Sequence, residues 1–219
     1  MNQSFNRRIF VTLLLASALV VFPGCTGALT QLMYVIKGHK VPGEFQGLEG
    51  KRIAVVCVSD ASAYGPDPLT YSISNALSVK LARGLKDSTV VPVTKVEEWI
   101  DTNGWDERDF VTLGKGVDVD AVVAIDIASY SIHEGATLFK GRADVTATVY
   151  DIAKEGQIEH HYGPKIFEYP KTGRPAIQTT DRQFEAMYLG QLVIHLSNQF
   201  CEHDHLDSFA SDAILNHQS

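Results

Sequence analysis

Residues 51–58 read KRIAVVCV, and this short, continuous apolar run decides the fold class. Apolar residues that follow one another without alternation are typical of a β-strand buried on both faces. Asp67 and Pro68 then predict the start of a helix, because Asp accepts hydrogen bonds from free N–H groups and Pro fits the first helical position. Leucine or isoleucine recurs every fourth residue at 73, 77, 81 and 85, which predicts an amphipathic helix.

The middle of the chain continues this alternation of strands and helices. A short strand around Pro92 is expected at a sheet edge or a strand end, since Pro cannot donate to a ladder. Thr94 and Glu97 form a capping-box pattern that predicts a short helix, and Asp106 is expected to cap a further helix. Residues 121–127 (AVVAIDI) repeat the buried-strand pattern and predict a central strand.

After residue 140, apolar residues recur at every second position. In residues 142–150 (RADVTATVY) small apolar side chains alternate with polar ones, which predicts a half-buried antiparallel strand. Gly156 marks a turn, and residues 158–162 return as the second strand of a hairpin, with an extension over 165–169 left open. Residues 170–180 are expected to form a loop.

The last predicted element is a long C-terminal helix. Thr180 and Gln183 form a second capping-box pattern at its start. Bulky apolar side chains then recur every fourth residue, at 184, 188, 192, 196 and 200, and this stripe must pack on a sheet. The predicted class is therefore α/β: a mixed β-sheet with helices packed on it, a late antiparallel hairpin and a C-terminal amphipathic helix.

The first 25 residues have the anatomy of an export signal. Arg7 and Arg8 precede an apolar run of 14 residues, and Gly24 and Cys25 follow it. A cysteine directly after a small residue resembles the lipobox of bacterial lipoproteins, in which the thiol receives a diacylglycerol and the signal is removed. Phe22 and Pro23 depart from the usual lipobox, and the alternative is an ordinary secretory signal cut elsewhere.

The sequence is accordingly divided into four parts. We expect a lipoprotein signal peptide at 1–24, a lipid anchor and linker at 25–50, an α/β domain at 51–201 and a polar tail at 202–219. Thr26 follows the cysteine where an inner-membrane retention signal would usually place Asp. The resemblance therefore implies an outer-membrane lipoprotein that faces the periplasm.

The charge of the chain argues against a nucleic-acid partner. The 219 residues hold 19 basic and 26 acidic side chains, a formal net charge of −7. Removal of residues 1–24 would leave 17 basic against 26 acidic side chains, a net charge of −9. Contact with the membrane is therefore expected through the acyl anchor, because anionic headgroups repel an acidic surface.

The two cysteines other than Cys25 leave two alternatives open. Cys57 lies in a predicted strand and Cys201 at the end of a predicted helix. They are either two small buried hydrophobic residues or, in an oxidising compartment, a disulfide.

The histidines give no recognised metal or catalytic motif, so no cofactor is expected. His133-Glu134 lacks the partner histidine of a zinc motif. His160 and His161 are neighbours in a predicted strand, so their side chains point to opposite faces. His203 and His205 in the tail could chelate a metal, although nothing in the pattern preorganises them. A group of basic residues in the second half is either a solvated face or a site for an anionic partner: Lys140, Arg142, Lys165, Lys171 and Arg174.

Three segments of the sequence resemble a group of periplasmic lipoprotein domains. They are residues 51–56, residues 113–122 (LGKGVDVDAV) and residues 149–151 before the turn at Gly156. The group comprises the curli-secretion lipoprotein, the penicillin-binding-protein activator lipoprotein and the amino-terminal domain of the Tol translocation protein. The resemblance implies a domain that binds protein or peptidoglycan partners or assembles into rings, and that is not an enzyme.

These observations favour a lipid-anchored periplasmic binding module that docks a protein or another envelope component without catalysis. One alternative is a self-associating subunit of an envelope or secretion assembly. The other is a hydrolase or metal-dependent enzyme with an unrecognised site.

Overall fold

The computed structural model describes residues 40–59, 67–105, 108–175 and 179–204. The strands are β1 (Lys40–Val41), β2 (Arg52–Ser59), β3 (Thr89–Val90), β4 (Ala121–Glu134), β5 (Leu138–Asp151), β6 (Gln157–Pro175) and β7 (His203–Asp204). The helices are α1 (Pro68–Gly84), α2 (Val93–Asn103), α3 (Phe110–Gly116) and α4 (Asp181–Ser197). No helix among the described residues is both long enough and apolar enough to cross a membrane.

Five of the strands form one mixed sheet in the order β3-β2-β4-β5-β6. β2 is parallel to both β3 and β4, whereas β5 is antiparallel to both of its neighbours, β4 and β6. The predicted α/β class, the central position of the 121–127 segment and the late antiparallel hairpin are confirmed. The parallel strands are joined by helices, as the chain geometry requires.

The sheet carries a hydrophobic core on each face. The larger core lies against α1 and α4, and the smaller one lies against α2 and α3. Successive residues of β2 alternate between them: Ile53 and Val55 belong to the first core, and Ala54 and Val56 to the second. This burial on both faces is the physical reason for the continuous apolar run in the sequence.

Helix α1 begins and packs as the sequence predicts. Asp67 is its N-cap and accepts a hydrogen bond from the backbone N–H of Leu69 at 3.0 Å. Ile73, Leu77 and Leu81 are fully buried. The four-residue period therefore reports the face that contacts the sheet.

The two short helices begin differently from the prediction. The capping box at Thr94 is wrong: α2 begins at Val93 after Pro92, with no side-chain cap. Asp106 lies outside the described residues, and the cap of α3 is Asp109, whose Oδ1 accepts from the N–H groups of Val111 and Thr112. Asp109 directly precedes the first helical residue, which is the position where an acceptor reaches the free N–H groups.

The late strands are longer than the sequence suggests. β4 continues to Glu134, and β6 runs to Pro175, so the loop expected over 170–180 is wrong for its first six residues. β-Bulges interrupt the ladders between Ile127 and Ser129 and between Val145 and Ala147. Extra residues of this kind bend a long strand while the pairing continues on either side.

Helix α4 confirms the second capping box and most of the apolar stripe. Gln183 N–H donates to the Thr180 hydroxyl, and the Thr180 N–H donates to the Gln183 side chain. Phe184, Tyr188, Leu192 and Leu196 are buried, whereas Phe200 lies beyond the helix end in a following turn and is also buried.

Residues 40–50, which we call the N-terminal strap, pack on the domain although the sequence suggests a linker. Leu48 is fully buried, and the Phe45 N–H donates to the Gln199 carbonyl at 2.9 Å. β1 at the start of the strap pairs with β7, so part of the polar tail is also ordered. Pairing between residues distant in sequence leaves no local pattern in the sequence. The glycines of the strap favour a linker when they are read locally.

Candidate binding cleft

A cleft lies where the edge strand β3 stops early. β3 pairs only with Arg52 and Ile53, and Pro92 then ends the strand, whereas β2 continues to Ser59. The Val91 N–H donates to the Ile53 carbonyl, so every second residue of β2 from Ile53 onward directs its backbone groups toward this side. The backbone of the second half of β2 therefore faces the space between α1 and α2.

This space, the binding cleft, has a volume of about 600 Å³. Clefts of roughly 300–1,000 Å³ are the usual size of ligand sites. The cleft opens at the carboxyl end of β2, the end at which open α/β sheets bind their ligands. The described residues that line it come from β2, the first two turns of α1, α2 and the segment after α2: Val55–Ser59, Asp67, Thr70, Tyr71, Ser74, Val93, Val96, Glu97, Ile100, Asp101, Trp105 and Arg108.

Two side chains form hydrogen bonds with backbone groups of β2 that a longer β3 would have paired. The Ser74 hydroxyl accepts a hydrogen bond from the Cys57 N–H at 2.9 Å. The Arg108 guanidinium donates to the Ser59 carbonyl at 3.3 Å. The two contacts satisfy these two backbone groups of β2 without a neighbouring strand.

The lining of the cleft is acidic on one side. Glu97 and Asp101 lie one turn apart on α2, and Asp67 caps α1, against the single guanidinium of Arg108 among the described lining residues. Burial, together with the nearby Asp101 carboxylate, raises the pKa of Glu97. A positive charge entering the cleft would offset the repulsion between the two carboxylates and so favour the ionised form of Glu97.

The remaining walls are aromatic and aliphatic. Tyr71 is 39% exposed on α1. Trp105 is half-buried; its indole N–H donates to the Asp109 carbonyl at 3.1 Å, and its ring packs edge-on against Phe110. The side chains of Val93, Val96 and Ile100 from α2 complete the apolar surface. The cleft therefore combines apolar contact area with a few fixed charges, the usual composition of a binding site.

The thiol in the cleft is not activated. Burial, reinforced by the carboxylates of Asp126 and Asp67, raises the pKa of Cys57 well above its ordinary value. A thiol with a raised pKa stays protonated at neutral pH, and only the thiolate is a strong nucleophile.

Cys57 and Cys201 are both free in the structure. The Cys57 backbone contacts Ser74, whereas Cys201 lies against Gly84, ten residues further along α1. At 1.5 Å per residue this separates the two sites by about 15 Å, more than twice the greatest Cα distance that a disulfide spans. The structure thus favours two separate thiols, with Cys201 buried and Cys57 half-buried.

None of the described histidines lines the cleft. His133 lies 3.5 Å from Asp181, and His203 contacts the Cys201 carbonyl, while His205 and Cys25 lie outside the described residues. His160 and His161 point to opposite faces as predicted: His160 stacks on Phe45, and His161 contacts Thr148. In the described part of the chain, no group of three or more His, Cys, Asp and Glu side chains could hold a metal ion.

Two of the five basic residues grouped in the second half are paired with acids. Lys140 forms ion pairs with Glu134 and Glu168, and Arg142 pairs with Glu168 as well. Lys165 lies over the ring of Tyr162. Neutralisation of this kind favours the solvated face over a site for an anionic partner. Lys171 is exposed, and the side chain of Arg174 is outside the described part.

An ion-pair cluster at the opposite end of β2 was not expected from the sequence. Lys51 Nζ lies 3.1 Å from Asp151 and 2.8 Å from Glu159, and Lys154 contacts both carboxylates. Burial acts to raise the pKa of Asp151, but the hydrogen bonds from Lys51 and from Lys154 outweigh it and lower the pKa to about 2. This cluster ties β2 to the hairpin and is structural.

Sequence reasoning also missed the cleft residues Tyr71, Glu97, Asp101, Trp105 and Arg108. The available signals were Pro92, which shortens β3, and the four-residue spacing of Glu97 and Asp101. Neither signal shows that α1 and α2 converge at the uncovered edge of β2, because that is a property of the folded chain.

Comparisons with known proteins give structural similarity at low identity. No family model matches the sequence, and no curated protein matches it. Among solved structures, the lipoprotein GNA1162 from Neisseria meningitidis is 19% identical; the match covers 68% of this chain and 96% of that chain, with a TM-score of 0.45.

Two further structures match in the same range. Protein XCC0632 from Xanthomonas campestris is 10% identical, covering 72% of this chain and 86% of that chain, with a TM-score of 0.43. The LpoB C-terminal domain from Salmonella enterica is 10% identical, covering 64% of this chain and 90% of that chain, with a TM-score of 0.35. The chain is thus similar in structure to these bacterial proteins, one of which is a lipoprotein, and at these values the similarity carries no argument about its partner or activity.

Proposed function

We propose that this chain is a lipid-anchored module of the bacterial cell envelope that binds a protein partner in the binding cleft and catalyses no reaction. The observation that carries the proposal is the cleft itself, formed where β3 stops after Val90 and lined by apolar, aromatic and charged side chains. Its volume and composition suit a ligand.

The chemistry of the cleft supports binding over catalysis. Its thiol, Cys57, is held in the protonated form, and none of the described lining residues is a histidine. Glu97 and Asp101 lie on one face of α2 and line the cleft. The same residues are well suited to contact a ligand that stays chemically unchanged.

The membrane attachment in this proposal is Cys25, with the mature chain on the periplasmic side of the outer membrane. Support comes from the sequence: an apolar run of signal length, Gly24 before the cysteine and Thr26 after it. Several acyl chains on one residue hold a protein far more firmly than the marginal binding of a single chain. Cys25→Ser should leave an uncut, unlipidated precursor; a gel that shows normal processing of this variant would contradict the attachment site.

The cleft is tested by site-specific photo-cross-linking in intact cells. A photoreactive phenylalanine replaces Tyr71, which lines the cleft, or Val79, which is 43% exposed on the same helix and outside the cleft. We expect a discrete adduct with another protein from position 71 and none from position 79.

The other outcomes have defined meanings. An adduct of twice the mass of the chain would favour the self-associating subunit, and an adduct with wall fragments would favour a peptidoglycan partner. Equal adducts from both positions, or none from position 71, would refute binding in the cleft.

A further inference from the structure

Glu97 and Asp101 are a pair of like charges with no basic partner in the described part of the chain. They lie four residues apart on α2, so their side chains are neighbours on one face, and that face lines the cleft. Like charges at this spacing destabilise a helix, whereas a cation placed between them would bind to both. Lys95 belongs to the same helix but does not line the cleft.

The walls beside this pair suit an aliphatic stem. Val93, Val96 and Ile100 offer apolar contact along α2, and Tyr71 and Trp105 offer ring faces. A Lys or Arg side chain has this combination of parts: an apolar stem, and a charged head that is attracted to carboxylates and to aromatic faces.

The backbone beside the walls suits an extended segment. The second half of β2 directs its backbone toward the cleft, and in the described part of the chain no strand pairs with β2 on that side beyond Ile53. Recognition of extended segments at such edges is a common mode of peptide binding. The Ser74 hydroxyl already satisfies the Cys57 N–H, so the segment is expected to contact the cleft chiefly through its side chains.

Building on the proposed function, we infer that the partner inserts a Lys or Arg side chain of an extended protein segment between Glu97 and Asp101, with its stem against Tyr71 and Trp105. A cell-wall stem peptide fits less well, because it carries carboxylates that the acidic lining and the net charge of −7 repel. Charge complementarity thus selects a basic segment of a protein.

The test measures binding of defined peptides to the lipidated full-length protein in detergent. The probe is a fluorescent pentapeptide, Val-Lys-Val-Lys-Val with blocked ends, and its control replaces both lysines with norleucine, which keeps the stem and removes the charge. Fluorescence anisotropy should show at least ~10-fold weaker binding of the norleucine peptide, and binding of the lysine peptide should weaken as salt rises.

Matched variants locate the effect. The double variant E97Q/D101N should weaken binding of the lysine peptide at least ~10-fold, whereas E98Q, an exposed change on the same helix outside the cleft, should leave it unchanged. Unfolding curves of the double variant should match or exceed those of the wild type, since a repulsion is removed.

The inference is overturned if the norleucine peptide binds equally well, if E98Q has the effect of E97Q/D101N, if a muropeptide binds more tightly than the lysine peptide, or if no peptide binds. Its failure is separate from failure of the proposed function. Cross-links from position 71 with none from position 79, alongside a failed peptide test, would leave a cleft that binds a partner of different chemistry.

Discussion

Ser74 and Ser78 of α1 form a matched pair for measuring how much the Ser74 hydrogen bond stabilises the edge of β2 that β3 leaves unpaired. Ser74 is 4% exposed and Ser78 is 7% exposed, one turn apart on the same helix. The Ser74 hydroxyl accepts from the Cys57 N–H at 2.9 Å, whereas the Ser78 hydroxyl is buried with no hydrogen-bond partner. The two Ser→Ala changes therefore remove the same atom with opposite consequences.

The expected magnitudes follow from these contacts. Ser74→Ala leaves the Cys57 N–H without its acceptor, which costs about 1–3 kcal/mol, and the higher helix propensity of Ala returns about 0.5 kcal/mol. Ser78→Ala gains that propensity and also removes an unsatisfied hydroxyl. The free energies of unfolding of the two variants should differ by at least ~1 kcal/mol, with Ser78→Ala at or above the wild type.

Equilibrium urea unfolding followed by tryptophan fluorescence measures both free energies, and thermal melts should separate the variants by about 2–4 °C per kcal/mol. If both substitutions destabilise equally, or Ser78→Ala is the more damaging one, then Ser74 does not replace the missing strand at the edge of β2.

Three further predictions concern the rest of the domain. Leu192→Asp places a carboxylate at a fully buried position of α4 and should unfold the domain, with a loss of more than about 4 kcal/mol of unfolding free energy. Circular dichroism should then show no cooperative melt. A melt like that of the wild type would mean that another face of α4 contacts the sheet. Burial lowers the pKa of His160, so the folded state favours the neutral ring. The contribution of His160 to the free energy of unfolding should be fully present above the unfolded pKa of about 6.5 and should fall as the pH drops below it. His160→Gln should therefore flatten the dependence of the urea midpoint on pH. Lys51→Met removes one of the cations that lower the pKa of Asp151 to about 2 and should cost about 1–3 kcal/mol of unfolding free energy at pH 7. That contribution is lost as the pH falls from about 3.9 toward 2, so the urea midpoints of the variant and the wild type should converge at low pH. An equal difference at pH 7 and pH 2 would contradict the pairing.

The elements that sequence reasoning predicted correctly are those whose signals are local. Asp67-Pro68 places the cap of α1 within two residues, and Thr180 with Gln183 does the same for α4. The apolar period in each helix reports the face that meets the sheet, and the continuous apolar run of residues 121–127 reports burial on both faces. In each case the decisive contacts are made within a few residues along the chain or by burial alone.

The features that it missed depend on pairing between distant segments. Residues 128–141 carry no clear period because this end of the β4–β5 hairpin is largely exposed, so its pairing leaves no apolar pattern. The strap is held by contacts of Leu48 and Phe45 with segments far along the chain, and its glycines favour a linker when read locally. The cleft exists because β3 is shorter than its neighbour, a difference that only the assembled sheet defines.

The direction of α1 separates the two ends at which other molecules would act on the domain. Asp67 begins the helix at the cleft, and Gly84 ends it against Cys201, where Gly43 also meets the backbone of residues 200–201. A helix of 17 residues places these poles about 25 Å apart. With Cys25 as the proposed tether, tension from the membrane would reach the described part of the domain at β1 and would be resisted first by the β1–β7 pair and the Phe45–Gln199 hydrogen bond. On the proposed attachment, a pull on the tether would therefore load the end of α1 that lies farther from the cleft.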